Sequence, residues 1–97
     1  MKVVEVLQKA KDIFLYRIQV YTYTGMCTCI KKAINRNIDC VPNKLINKNI
    51  PEFNTKFLEA TTPDKPFWWP VSEHEPRIKA FDKLIELYKD SDKEFIL

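Results

Sequence analysis

Glycine is almost missing from this chain: among 97 residues only Gly25 takes a left-handed backbone without penalty. All-β folds use many glycines in tight turns, so this scarcity points to helices joined through Pro, Asn and Asp loops. Histidine is equally scarce. The only one is His74, flanked by Glu73 and Glu75, two carboxylates that favour its charged form. Long apolar runs are absent as well. The longest, Ile13 to Tyr16, has four residues, far below the roughly 20 that span a bilayer as a helix, so no membrane partner is expected. No P-loop, dinucleotide fingerprint or H-E-x-x-H motif occurs.

What is present suffices for a packed interior. The chain is 45% apolar and 12% aromatic, a composition that folds into one domain spanning residues 1–97 and leaves no room for a second core. A chain this short buries only about 60–70% of the surface its unfolded form exposes, which leaves stability modest and makes a homo-oligomer worth testing. The net charge is +3. Its excess sits in the middle, where Lys31, Lys32, Arg36, Lys44, Lys48 and Lys56 face Asp39, Glu52 and Glu59. Such a bias helps recruit phosphate-bearing partners, but it lacks the dense basic stripe of nucleic-acid readers. Nucleic acid is not an expected partner, and a solvated lysine surface is the plain reading.

Apolar residues mark the elements. Val3, Val4, Val6, Leu7, Ala10, Ile13 and Phe14 recur at helical spacing and predict a first helix over about 2–15. Ile18, Val20 and Thr22 then alternate with Gln19, Tyr21 and Tyr23, which suits an extended connector or a lone edge segment, with continuation of the first helix the alternative left open. A second helix is expected from Thr24 as N-cap through Met26, Ile30 and Ala33 to about Arg36. Pro42 fits the first turn of a short helix carrying Leu45 and Ile46, and Pro51 starts a further turn with Phe53, Phe57 and Leu58 inward. The last helix, about 76–90, shows Ile78, Phe81, Leu84, Ile85 and Tyr88 on one stripe. The fold class is mostly α: a bundle of about four helices with a long Pro/Trp-rich loop before the last one.

That loop carries Lys65-Pro66-Phe67-Trp68-Trp69-Pro70, with both tryptophans of the chain side by side. Neighbours on an extended backbone point to opposite sides, so one indole anchors in the core while the other faces a surface. The prolines restrict the unfolded loop and hold the rings at little entropic cost. Trp68, Trp69, Lys65, His74 and Arg77 together combine π-faces with cationic donors, the parts that hold a nucleotide-like or other anionic small molecule. The plainer alternative is that Phe67 and the tryptophans plug the core. Glu73 and Glu75 weaken the anion site by offsetting the helix dipole there.

The order Gly25-Met26-Cys27, Ile50-Pro51-Glu52-Phe53, Phe67-Trp68-Trp69-Pro70 and Glu75-Pro76-Arg77 resembles small uncharacterised accessory proteins of tailed bacteriophages. The resemblance runs from about Gly25 to Tyr88. It implies host-interaction or anti-defence work in the host cell cytoplasm, by binding nucleotide signals or host proteins without catalysis. The expected function is therefore a non-catalytic binding protein with no cofactor. Two readings of other classes stand beside it: a small cysteine- or metal-dependent enzyme, with Cys27 and His74 as partners, and a structural protein that oligomerises through the apolar tail Phe95-Ile96-Leu97.

Three cysteines, Cys27, Cys29 and Cys40, cannot all pair within one chain. The Met-Lys start lacks the apolar stretch and small-residue cleavage site of a secretory leader, so reduced thiols in a cytoplasmic protein are expected. Cys27-x-Cys29 is tighter than the usual zinc knuckle, and His74 is a distant fourth ligand. The dialysed protein should therefore carry no stoichiometric zinc by elemental analysis. Zinc retained at one equivalent and lost in Cys27→Ser or Cys29→Ser would overturn this expectation.

Overall fold

Each helix hides residues at the same spacing. The computed structural model describes residues 1–20, 26–34, 41–53 and 74–97. Four helices lie there: α1 (Val3–Gln19), α2 (Met26–Ile34), α3 (Asn43–Asn49) and α4 (Glu75–Tyr88). The buried positions are 3, 6, 7, 10 and 14 on α1 and 26, 29, 30 and 33 on α2. On α3 and just beyond they are 46, 49, 50 and 53, and on α4 they are 77, 80, 81, 84 and 88. This i, i+3, i+4, i+7 register gives every helix one apolar stripe. Two polar residues, Asn49 and Arg77, stand in it.

The stripes meet in one core. α1 packs against both α2 and α4, and α2 touches α3. Phe14, Phe53 and Phe81 are the largest fully enclosed side chains, each contributing on the order of 1.5–3 kcal/mol by burial. Ile13, Ile78 and Ile85, expected in the interior, are half-buried against its edge. The Cα radius of gyration is 12.6 Å, close to the ~12.5 Å of a compact chain this long. The expected mostly α architecture holds: the described residues form a small helical bundle and contain no β-strand beyond one isolated bridge.

α1 is longer than its pattern suggested. Of the two alternatives for Ile18 and Gln19 the helix continuation holds, and Ile18 packs against the core one turn beyond Phe14. Continuing the buried stripe outweighs the weak β-preference of a branched side chain. The rest of the expected connector, residues 21–23, and the Thr24–Gly25 entry lie outside the described residues, as do Arg36, Cys40, Phe57 and Leu58. α3 begins after Pro42, which takes the N-cap place with φ −73° and ψ 149°. α4 starts one residue before the expected Pro76, with that proline in its first turn.

The chain ends close on one another. Val3 N–H donates to the Lys93 carbonyl at 2.9 Å and Phe95 N–H donates to the Met1 carbonyl at 2.9 Å, forming an antiparallel bridge between Lys2 and Glu94. The Lys2 N–H is held in turn by the Glu5 carboxylate at 3.0 Å. Phe95 enters the core, whereas Ile96 and Leu97 stay exposed. Asn49 fastens this tail to α3. Its Nδ2 donates to the carbonyls of Leu45 and Ile96, each at 2.9 Å, and its Oδ1 accepts from Ile96 N–H at 2.7 Å. Three bonds satisfy most of what a buried amide requires.

At the C-terminal end of α4, Tyr88 reaches the segment after α3. Its hydroxyl donates to the Glu52 carboxylate, lying 2.9 Å from Oε2, and the Lys93 ammonium sits 5.6 Å from its ring centre. Burial first, and then the Glu52 carboxylate, push the Tyr88 phenol above the ordinary tyrosine range.

Phe81→Ala should lower stability by about 3–5 kcal/mol, close to the whole stability of a domain this size. Urea denaturation followed by circular dichroism measures it, and a loss under ~1 kcal/mol would contradict the core described above. Tyr88→Phe should cost about 1–2 kcal/mol at neutral pH. Above pH ~10 the unfolded phenol loses its proton while the folded one keeps it. The stability that Tyr88 contributes should then fall as pH rises, and the gap between wild type and Tyr88→Phe should narrow. A gap constant from pH 7 to 11 would refute the Tyr88–Glu52 coupling.

Candidate functional site

The candidate site is the head of α4, where the chain leaves the Pro/Trp-rich segment. His74 occupies the N-cap place with φ −92° and ψ −22° and makes no side-chain cap. Its carbonyl accepts from the N–H groups of both Arg77 and Ile78 at 3.1 Å, so the first turn closes on the His74 backbone rather than its ring. Pro76 suits this turn because its missing N–H would have no partner within the helix. Glu75 is exposed in the same turn, where a carboxylate complements the helix dipole and offsets part of the positive potential.

His74 is tied to the core. Its ring meets Phe14 edge-on, with centroids 5.9 Å apart and planes at 73°. Phe14 in turn packs on Phe81 at 5.7 Å. The series Phe81–Phe14–His74 thus runs from the interior to a half-buried imidazole at the start of α4. Arg77 lies one turn along the helix and is only 6% exposed. It occupies the α4 position that corresponds to Val3 in the α1 stripe, so its guanidinium belongs to the packed side of the helix. The structure brings together His74 and Arg77 of the five expected site residues. Lys65, Trp68 and Trp69 lie outside the described residues.

Two clefts lie elsewhere among the described residues. One, about 430 Å³, is an open polar groove between α1 and α4 lined by Gln8, Lys11, Asp12, Asp82 and Ile85. The Lys11–Asp82 ion pair links its two walls. The other, about 90 Å³, is an apolar cleft lined by Met1, Val6, Ile34, Phe95 and Leu97. Neither includes His74 or Arg77.

The two described thiols occupy packing positions: Cys29 is fully buried and Cys27 half-buried, and neither forms a disulfide. Burial pushes the Cys27 thiol above its ordinary value, and the nearby Lys31 charge only partly opposes this. A thiol raised in this way carries very little thiolate at neutral pH and is a poor nucleophile. Among the described residues no group of three or more His, Cys, Asp or Glu side chains is placed to hold a metal ion.

Asparagine favours loops and turns, so Asn49 does not stand out from composition alone. The available signal was its register: it falls three residues after Ile46 and four after Leu45, on the apolar face. Glu52 and Tyr88 gave no such signal, because their pairing joins positions 36 residues apart.

No helix among the described residues is long and apolar enough to cross a membrane. Comparison with protein-family models, with curated proteins and with solved structures yields no significant match, so the site is interpreted on its own geometry.

Proposed function

We propose that this protein is a non-catalytic binding protein, a phage accessory factor that sequesters a nucleotide-like ligand through its Trp68–Trp69 loop in the host cytoplasm. The supporting observation is the head of α4, where a half-buried imidazole rests on Phe14, itself packed on Phe81, and the buried Arg77 lies one turn along the helix. Five residues of chain reach at most about 18 Å, so Trp69 is tethered near His74 by length alone. An aromatic face supplies stacking, worth about 1–3 kcal/mol per base, and cationic groups supply charge-assisted bonds to phosphate.

This reading is favoured over a cysteine enzyme by the raised Cys27 thiol, which leaves little nucleophile at physiological pH. One observation favours a second reading, in which the tail makes a subunit contact: Ile96 and Leu97 are 67% and 77% exposed. A homo-oligomer is compatible with ligand capture, and the two are separated by measuring mass and binding on the same sample.

The test compares Trp68→Ala with Trp69→Ala. One variant should lower the melting temperature, while the other keeps stability and loses binding to nucleoside mono-, di- and triphosphates by calorimetry. Because Arg77 is buried, Arg77→Lys is a better probe than alanine: it keeps the charge and removes the planar fork. It should weaken an anionic ligand by about 1.5–3 kcal/mol. Equal destabilisation by both tryptophan variants, with no nucleotide bound by wild type, would reduce the loop to a structural plug.

A further inference from the structure

We draw no further inference here: the strongest candidate, the open polar groove between α1 and α4 lined by Gln8, Lys11, Asp12, Asp82 and Ile85, is a furrow whose two walls are already joined by the Lys11–Asp82 ion pair, and nothing in the structure shows what would occupy it.

Discussion

The packing of Phe14 on Phe81 is the contact on which the other elements depend. These rings belong to the two longest helices, α1 and α4, and both are fully buried. At 5.7 Å and 54° they adopt the tilted arrangement that aromatic quadrupoles favour, which adds about 0.5–1.5 kcal/mol to the burial itself. With that crossing set, the remaining stripe residues of both helices face inward, and α2 packs against α1 as well. His74 borrows the same anchor by laying its ring against Phe14. The geometry of the candidate site is therefore inherited from the core.

A core made only of apolar stripes would tolerate several ways of stacking short helices. Asn49 and Arg77 narrow the choice. A buried amide or guanidinium is costly unless its partners lie in the right place, so each rewards one arrangement and penalises others. Asn49 shows how: its three bonds join α3 to the tail at Ile96 and can form only when the segment is extended and in register. Tyr88 and Glu52 make a similar link between the end of α4 and the segment after α3. The seven-residue α3, too short to be stable alone, is held by contacts on both sides.

Charge is arranged around this framework rather than within it. Among the described residues, the ion pairs Lys2–Asp92, Lys11–Asp82 and Lys89–Glu86 lie at partly or fully exposed positions, where solvent screening keeps each contribution small. His74 and Arg77 are different: the imidazole at the N-cap of α4 is half-buried and Arg77 stands inside the packed face of the helix. Burial fixes both in position, so either one belongs to the fold before anything else.

The sequence by itself determined the helical class, three of the four apolar stripes in most of their members, and the start of the last helix to within one residue. These are local properties: an apolar residue every third or fourth position, and a proline where no N–H is needed. Tertiary structure decided the rest. It carried α1 past Ile18, because a stripe that continues to find a core overrides a branched residue's preference. It placed Asn49 and Arg77 inside, although their chemistry suggested loops and surfaces, since register along a helix settles which way a side chain points. Docking of Phe95 with Ile96 and Leu97 left outside, and the pairing of Asn49 with a residue 47 positions away, have no local signature. A periodic pattern reports only that a face is buried; which distant backbone it meets is set by how the helices cross.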